Sequence, residues 1–202
     1  MHFTTQNYCI RKCLNQKRIN CNYFSLKFQQ ALQDHNYYYS PPPPLSKKNP
    51  IIQKLQNIGT DDSRLPLEIR DIPGKNRGVV PTKKLSKGDF AVEYAGELIE
   101  HSTAEERENE YAMDVSKGCY MYYFQKNGKH YCIDATVETG RYGRLVNHSR
   151  QTPNLMTKVI MNGKSPHLIL VAKHDIEPGT ELLYDYGDRS KESLAVHPWL
   201  AK

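Results

Sequence analysis

Two tyrosines near the C-terminal end of the sequence, Tyr184 and Tyr186, stand on either side of Asp185 in the segment TELLYDYGD. Because side chains alternate between the faces of an extended strand, both phenol rings should lie on one face and the aspartate on the other. No metal-ligand spacing and no nucleophile motif lies beside them. The chemistry open to this pair is hydrogen bonding at one spot, since a phenol hydroxyl both donates and accepts.

A second polar run, YGRLVNHS over residues 142–149, surrounds a two-residue apolar pair. It places Arg144, Asn147, His148 and Ser149 within one short stretch, which is a poor pattern for an exposed loop. Buried Asn and His side chains most often satisfy backbone carbonyls, so either residue alone has a purely structural explanation. A functional explanation depends on the two polar runs meeting at one site.

The common motifs of phosphate-transfer and acyl-transfer enzymes are absent from the sequence. There is no G-x-G-x-x-G after a strand, no Walker loop, no H-E-x-x-H and no G-x-S-x-G. Three of the five cysteines lie near the N-terminus, and their spacing fits no common zinc pattern. We therefore predict no metal site, and we expect reduced thiols as in the cytosol or nucleus.

The excess charge of the chain lies at its N-terminal end. The formal net charge is +6, and the first 50 residues hold seven Lys or Arg and one Asp, so the remainder is neutral. A basic segment suits a polyanion such as nucleic acid, although a merely solvated segment has the same composition. No run of about 18 apolar residues occurs, so no membrane-spanning segment is predicted.

Composition divides the chain into four parts. Residues 1–48 lack periodicity and close on four prolines, which predicts a disordered, basic, low-complexity tail. Residues 49–64 predict a flanking helix, with Pro50 at its first position. The folded domain is predicted over residues 65–187, and a C-terminal helical segment over residues 188–202.

The predicted domain consists of short apolar segments separated by turn residues, which indicates a mostly β fold with a few short helices. Lys126–Lys129 (KNGK), between two tyrosine-rich runs, is its strongest hairpin signal. Ser102–Glu105 (STAE) matches a capping box and predicts a helix to about Ala112. Strands are predicted over residues 67–70, 78–82, 90–94, 120–124, 130–134 and 167–172.

Taken together, these segments resemble the SET-domain protein lysine methyltransferases. The family's N-H-S and E-L-x-Y-D-Y motifs, its early glycine-containing loop and one strand motif occur here in the right order. The matching segments are Asn147–Ser149, Glu181–Tyr186, Lys75–Gly78 and Val92–Gly96. The resemblance covers residues from about 65 to 202, and within the family it is greatest to the histone H4 lysine-20 monomethyltransferases.

The resemblance implies a fold, a reaction and a place of action. The fold is a set of small curved sheets with a C-terminal pseudoknot, in which the E-L-x-Y-D-Y segment passes beneath the loop before N-H-S. The reaction transfers one methyl group from S-adenosyl-L-methionine to lysine 20 of histone H4 in nucleosomes. The resemblance further implies action in the nucleus on chromosomes. We also expect a monomer, and the charge of the basic tail favours nucleosomal DNA as its partner.

This reaction would explain why two phenols stand together. A lysine amine with a pKa near about 10.4 is mostly protonated at neutral pH and cannot attack a methyl group. A narrow aromatic channel disfavours the charged form, and a neighbouring sulfonium repels it further. Tyrosine hydroxyls can then orient the neutral amine for an in-line displacement.

The resemblance also assigns roles to residues of this chain. Tyr186 is the main catalytic tyrosine, Tyr94 hydrogen-bonds the lysine amine, and Tyr184 restricts the product to one methyl by holding a water. His148 belongs to both the catalytic and the cofactor-binding sets. The implied cofactor contacts are Lys75, Asn76, Arg77, Tyr120, Asn147, His148 and Trp199, with the tryptophan covering the adenine.

The sequence departs from the family pattern in two places. Relatives commonly continue N-H-S with C-x-P-N, whereas residues 150–154 read RQTPN and contain an insertion. Many relatives also carry a cysteine-rich zinc segment after the core, but no cysteine follows Cys132. We therefore expect residues 188–202 to close the cofactor pocket without zinc.

The distribution of charge predicts which segment would attract the peptide substrate. Residues 93–114 hold eight carboxylates and the single arginine Arg107, a composition that would attract a basic histone tail. A solvated acidic helix face has the same composition. Two other functions stay open from the sequence: a catalytically silent SET-like module that binds chromatin, and a methyltransferase for a lysine in a non-histone protein.

Overall fold

The computed structural model describes residues 50–114, 120–187 and 198–201. Ten short strands form four small sheets in this part of the chain, which confirms the predicted mostly β fold with few short helices. The predicted tail over residues 1–48 lies outside the described residues, as does most of the predicted C-terminal helical segment.

The secondary-structure elements alternate in short pieces along the chain. The strands are β1 (Leu67–Ile72), β2 (Asn76–Pro81), β3 (Phe90–Glu93), β4 (Glu97–Glu100), β5 (Met121–Lys126), β6 (Lys129–Asp134), β7 (Asn147–His148), β8 (Leu155–Asn162), β9 (Ser165–Ala172) and β10 (Leu183–Tyr184). The α-helices are α1 (Pro50–Ile58) and α2 (His101–Met113), and 3-10 turns span Asp62–Arg64, Gly143–Leu145 and Pro198–Ala201. No helix of the described part is long and apolar enough to cross a membrane.

Four sheets divide these strands between them. β1 pairs antiparallel with β2, β9 lies between β3 and β8, β6 lies between β4 and β5, and β7 pairs parallel with β10. The predicted KNGK hairpin joins β5 to β6 and is confirmed, with Asn127 at φ 52° and Gly128 at φ 73°. Both central residues therefore have the left-handed dihedrals that a two-residue type I′ turn requires.

The main core lies around β9, whose last five residues are all buried. Val92 of β3 and Leu155 of β8 flank this strand, and both are almost fully buried. Leu55 and Ile58 of α1 join the same core cluster, so the helix before the domain packs on it as part of one body. The continuous apolar run of β9 is explained by burial on both faces of its sheet.

Two local predictions differ from the structure. The helix predicted to about Ala112 is confirmed as α2, but the predicted capping box is wrong, because α2 begins at His101 with Glu100 at the N-cap position and without a side-chain cap hydrogen bond. Since Glu100 is still paired with Tyr131 in the sheet, β4 fixes the start of the helix directly. β8 was not predicted as a strand, because its sequence LMTKVIMN mixes polar and apolar residues on a half-exposed face.

Candidate active site

The two polar runs of the sequence meet in the parallel pairing of β7 with β10. Asn147 lies opposite Leu183 and His148 opposite Tyr184, and the Ser149 amide donates to the Tyr184 carbonyl at 3.1 Å. This pairing joins segments almost forty residues apart, and it is the part of the predicted pseudoknot that the described residues contain. It places the tyrosine pair beside the Asn-His pair.

Asn154 closes the loop that follows β7. Its side-chain NH₂ donates to the Glu181 carbonyl at 2.7 Å, and its side-chain oxygen accepts from the Leu183 amide at 2.8 Å. Its backbone N–H donates to the Leu183 carbonyl at 3.0 Å. The RQTPN insertion therefore ends in a residue that returns the chain to β10 and keeps the pairing intact.

His148 links three segments through both of its ring nitrogens. Nδ1 accepts a hydrogen bond from the Tyr186 backbone N–H at 3.1 Å, so the ring hydrogen lies on Nε2, which is 3.2 Å from the Leu200 carbonyl. The Tyr186 hydroxyl donates to the Val146 carbonyl at 3.0 Å. Histidine and tyrosine rings also pack edge to face, with centroids 4.9 Å apart. The His148 ring thus contacts both the backbone N–H and the phenol ring of Tyr186, the predicted catalytic tyrosine.

Four tyrosines form a continuous surface, the aromatic wall, made of Tyr94, Tyr122, Tyr184 and Tyr186. Successive ring centroids lie 5.6 Å apart for the first pair, 6.4 Å for the second and 4.7 Å for the third. The rings come from the residue after β3, from β5, from β10 and from the residue two positions after Tyr184. The expectation that both phenols of TELLYDYGD share one side agrees with this arrangement.

Tyr122 is the member of the aromatic wall that the sequence prediction missed. Its hydroxyl donates to the Thr157 side-chain oxygen at 3.3 Å, which connects β5 to β8. The available signal was its two-residue spacing from Tyr120, which places both rings on one face of an extended segment. That spacing predicts a strand, but it does not by itself indicate a site.

Burial keeps Tyr184, the third ring of the aromatic wall, uncharged. Tyr184 is 3% exposed, and this burial raises the pKa of its hydroxyl well above 10; the neighbouring Tyr186, Tyr94 and Tyr122 raise it further. No described residue hydrogen-bonds the Tyr184 hydroxyl. A phenol that stays protonated can still donate and accept, so the hydroxyl is able to hold a small polar molecule.

Tyr94 stands at the other end of the aromatic wall. It is buried, and its hydroxyl donates to the Tyr120 carbonyl at 3.0 Å. A hydroxyl that donates one hydrogen bond retains lone pairs that can accept from an amine. This geometry is compatible with the predicted contact between Tyr94 and a lysine amine, and it ties Tyr94 to a predicted cofactor residue.

Two of the seven predicted cofactor residues contact Glu181 directly, and a third is joined to it through Asn147. Lys75 Nζ lies 2.8 Å from one of its carboxylate oxygens, and Asn147 Nδ2 donates to the other at 2.9 Å. The same Asn147 amide lies 3.3 Å from the Arg77 carbonyl. Gly78 permits this approach, because a Cβ there would lie 2.6 Å from Ile72 and 3.0 Å from Asn147 Nδ2.

A second group of side chains connects Arg77 to Tyr120. The Arg77 guanidinium binds both oxygens of the Glu138 carboxylate, and this contact lowers the pKa of Glu138. Arg144 is buried, its Nη1 lies 3.5 Å from Glu138, and its Cζ lies 3.7 Å from the centre of the Tyr120 ring. Neither Glu138 nor Arg144 was among the predicted site residues, because only the fold places them beside residues 75–78.

The remaining predicted site residues lie at the borders of the described chain. Asn76 begins β2 with φ 61°, a left-handed conformation that asparagine tolerates. The Trp199 side chain lies outside the description, although its backbone belongs to the turn whose Leu200 carbonyl contacts His148. Within the described ranges, no group of three or more His, Cys, Asp or Glu side chains is arranged to hold a metal ion.

Comparison with known proteins gives several relatives. Histone-lysine N-methyltransferase Set8 of Drosophila melanogaster is 59% identical over 135 residues, which are 67% of this chain and 19% of the relative. N-lysine methyltransferase KMT5A of Xenopus tropicalis is 52% identical over 155 residues, 77% of this chain and 45% of the relative. Histone-lysine N-methyltransferase set-1 of Caenorhabditis elegans is 51% identical over 134 residues, 66% of this chain and 55% of the relative. The chain therefore spans between about a fifth and about half of these three relatives.

A solved structure and a family profile give the same result. The crystal structure of CpSET8 from Cryptosporidium aligns with a TM-score of 0.60 and 33% identity, covering 92% of this chain and 94% of that one. The SET-domain profile matches residues 76–187, more than half of the sequence. The family resemblance predicted from four motifs is confirmed, and the chain belongs to the SET-domain family.

Proposed function

We propose that this protein is a histone-lysine N-methyltransferase that transfers one methyl group from S-adenosyl-L-methionine to lysine 20 of histone H4 in nucleosomes. The observation that carries the proposal is the aromatic wall, which the β7–β10 pairing brings beside a polar cluster. This cluster consists of Glu181, Lys75, Asn147 and the Arg77 carbonyl. The printed names of the relatives, which include histone-lysine N-methyltransferase Set8, support the class of reaction.

The polar cluster fits a cofactor that carries a charged amino-acid end and an adenosine. Backbone from Lys75 to Arg77 would contact it, because the lack of a Cβ at Gly78 keeps that segment close to Asn147. Tyr120, which stacks on Arg144, would line the same pocket together with His148. S-adenosyl-L-methionine supplies an electrophilic methyl group on a sulfonium.

The aromatic wall would prepare the substrate lysine. A lysine with a pKa of about 10.4 in water must lose a proton before it can attack, and a buried phenol surface disfavours its charged form. Tyr186, fixed by Val146 and His148, would orient the amine from one end. Tyr94, fixed by Tyr120, would accept a hydrogen bond from the amine at the other end. Alignment and desolvation supply the acceleration in this scheme.

Tyr184 would limit the product to a single methyl group. Its hydroxyl has no hydrogen-bond partner among the described residues, which suits a bound water in the space that a second methyl would need. Changing Tyr184 to Phe removes the group that holds this water. The buried position of the ring keeps the wall otherwise unchanged.

The proposal places the protein in the nucleus, on chromosomes, as a monomer. The acidic side chains of α2 and β4 would attract the basic histone tail and increase its rate of association. The basic segment over residues 1–50 would contact nucleosomal DNA through its phosphates. Both contributions depend on ionic strength, because they are electrostatic.

Incubation with labelled S-adenosyl-L-methionine and nucleosomes tests the proposal. We expect label on lysine 20 of histone H4, as one methyl group, and no label on nucleosomes in which that lysine is arginine. Retained nucleosome binding without label would support a chromatin-binding module instead. Label that stays in both nucleosome preparations would support another substrate lysine.

The Tyr184→Phe variant tests the limit on methyl number. We expect dimethylated lysine 20 in addition to the monomethyl product, measured by mass spectrometry. Tyr131→Phe is the matched control, since Tyr131 lies in β6 and stacks on Phe124 outside the aromatic wall. Purely monomethyl product from Tyr184→Phe would contradict the role of the bound water.

The Tyr186→Phe variant tests the catalytic role of that hydroxyl. Loss of a positioned proton-handling or orienting group typically slows an enzyme by about 100-fold or more. We expect a fall of this size in kcat, with binding of S-adenosyl-L-methionine retained in calorimetry. An undiminished kcat would remove Tyr186 from the mechanism.

A further inference from the structure

We propose that four buried or half-buried side chains, Asp62, Glu93, Arg141 and His167, form a network that positions Tyr94, and that the segment before the family's domain supplies one of them. We call this group the ion network. The inference rests on the proposed function and deepens it, because Tyr94 would act on the substrate amine whereas the ion network would act through Tyr94.

The ion network runs through Arg141 and Glu93. Arg141 Nη2 donates to Glu93 Oε2 at 2.9 Å, and His167 Nδ1 lies 2.6 Å from Glu93 Oε1. Arg141 Nε lies 3.0 Å from Asp62 Oδ1, a contact that is an ion pair without hydrogen-bond alignment. The other Asp62 oxygen accepts from the Tyr142 backbone N–H at 2.8 Å. The four side chains therefore form one connected chain of contacts.

Charges at this depth need partners. Asp62 is 2% exposed and Arg141 is 8% exposed, so each would be costly to bury alone. Burial raises the pKa of Glu93, but hydrogen bonds from His167 and Arg141 outweigh it and leave that pKa below its usual value. Replacing such a pair by apolar residues often costs little stability, so fixed geometry is the better explanation for its presence here.

Tyr94 is held between the two chain segments that carry the ion network. It directly follows Glu93, and its backbone N–H donates to the carbonyl of Leu168, the neighbour of His167, at 2.8 Å. On the other side, a Cβ at Gly143 would overlap the Glu93 carbonyl and lie 2.8 Å from Tyr94 Cα. A shift of either segment therefore moves the Tyr94 ring.

Asp62 comes from outside the region that the SET-domain profile matches, which begins at residue 76. It lies in the 3-10 turn after α1, and the Leu55 and Ile58 side chains of that helix are buried in the main core. The contact between Asp62 and Arg141 joins residues about eighty positions apart. The flanking segment thus reaches the layer directly behind the aromatic wall.

Asp62→Asn is the most direct test, with Asp61→Asn as its matched control. Asparagine keeps an oxygen for the Tyr142 N–H but removes the charge that pairs with Arg141. Asp61 is the exposed neighbour whose side chain contacts Ser63 and Arg64. Since small displacements of a positioning group can slow catalysis by up to about 100-fold, we expect kcat of folded Asp62→Asn to fall at least about tenfold. Its affinity for S-adenosyl-L-methionine and the kcat of Asp61→Asn should not change.

A second measurement does not depend on activity. In the NMR spectrum of tyrosine-labelled protein, the Tyr94 ring signal, assigned with Tyr94→Phe, should shift in Asp62→Asn and stay in place in Asp61→Asn. If Asp62→Asn does not fold, Glu93→Gln takes its place in both measurements. Equal kcat values and an unshifted Tyr94 signal would overturn the ion network as a positioning device. A wild-type protein without methyltransferase activity would contradict the proposed function. In that case, the shift of the Tyr94 ring signal alone would show whether the ion network positions Tyr94.

Discussion

Two carboxylates of this protein, Glu93 behind the aromatic wall and Glu108 on α2, are both partly buried, but their pKa values are shifted in opposite directions. Burial raises the pKa of both. For Glu93, hydrogen bonds from His167 and Arg141 outweigh burial, so its pKa is lowered. For Glu108, the Tyr123 hydroxyl offsets only part of the effect and Glu105 adds to it, so its pKa rises to about 7. Cationic partners, and not depth alone, decide which of the two is ionised at neutral pH.

The difference between the surroundings of Glu93 and those of Glu108 has consequences for the proposed function. Behind Tyr94, hydrogen bonds from His167 and Arg141 keep the Glu93 carboxylate ionised at neutral pH. The α2 face, which we propose attracts the histone tail, includes a carboxylate that is only partly ionised near neutral pH. The two regions should therefore respond oppositely to substitution and to pH.

The largest effect is expected from Arg141→Gln, which would remove the guanidinium that distinguishes the surroundings of Glu93 from those of Glu108. It leaves the buried Asp62 without its cation and removes one of the two partners of Glu93, and breaking a buried ion pair typically costs about 3–5 kcal/mol. Urea unfolding at neutral pH measures the loss. Arg64→Gln, at an exposed ion pair with Asp61, is the control and should change stability little. A loss below about 1 kcal/mol would contradict the importance that we give to Arg141.

Glu108→Gln should increase the free energy of unfolding, whereas Arg141→Gln should decrease it. Because the folded pKa of about 7 exceeds the ordinary 4.5, the native protein holds the Glu108 proton more tightly than the unfolded chain, and stability falls as pH rises between these values. Glutamine imitates the protonated form. It should stabilise the protein by roughly 1–3 kcal/mol at about pH 8 and have no effect below about pH 4. Glu106→Gln, at the exposed neighbouring position, should show no such pH dependence.

A smaller effect is expected from His167→Gln. Glu93 raises the pKa of His167, while burial and Arg141 oppose this shift. The protonated imidazole therefore contributes stability that is complete below its ordinary pKa of 6.5 and is lost as pH rises through the higher folded pKa. The difference in unfolding free energy between wild type and His167→Gln should shrink as pH rises. A constant difference across this range would mean that Glu93 depends on Arg141 alone.

The smallest effect is expected at a pair that lacks burial altogether. Lys84 lies 3.1 Å from Asp175 and 3.3 Å from Glu177, and all three side chains are at least half exposed. Exposed pairs of this kind contribute little and are screened by salt. Lys84→Ala should leave the unfolding midpoint unchanged in moderate salt. A clear fall in the unfolding midpoint of Lys84→Ala would mean that this exposed ion pair stabilises the protein as the buried Arg141 contacts do.

Local features of the structure could be predicted from the sequence, because short-range preferences determine them. The KNGK turn depends on the dihedral preferences of Asn127 and Gly128, and β9 on an uninterrupted apolar run. The start of α2 could not be predicted, because the pairing of Glu100 with Tyr131 determines it and no local signal reports that pairing.

The candidate site likewise contains residues that could be predicted from the sequence and residues that could not. Two motifs were enough to bring Tyr184, Tyr186, Asn147 and His148 together, since their types and spacing are unusual. The ion network could not be predicted, because Asp62 and Arg141 meet across about eighty residues and each looks like an ordinary surface charge in the sequence.

The β7–β10 pairing has a consequence for how the protein is made. Hairpins such as β5–β6 connect neighbours and can form early, whereas contacts between distant segments form late in folding. During synthesis, chains fold from the N-terminal side as residues emerge, so β7 exists for a time without its partner. A nascent chain therefore cannot assemble the tyrosine pair next to His148 until residues 183–186 have been added, so the candidate site is completed only after β10, the last strand of the described residues, has been synthesised.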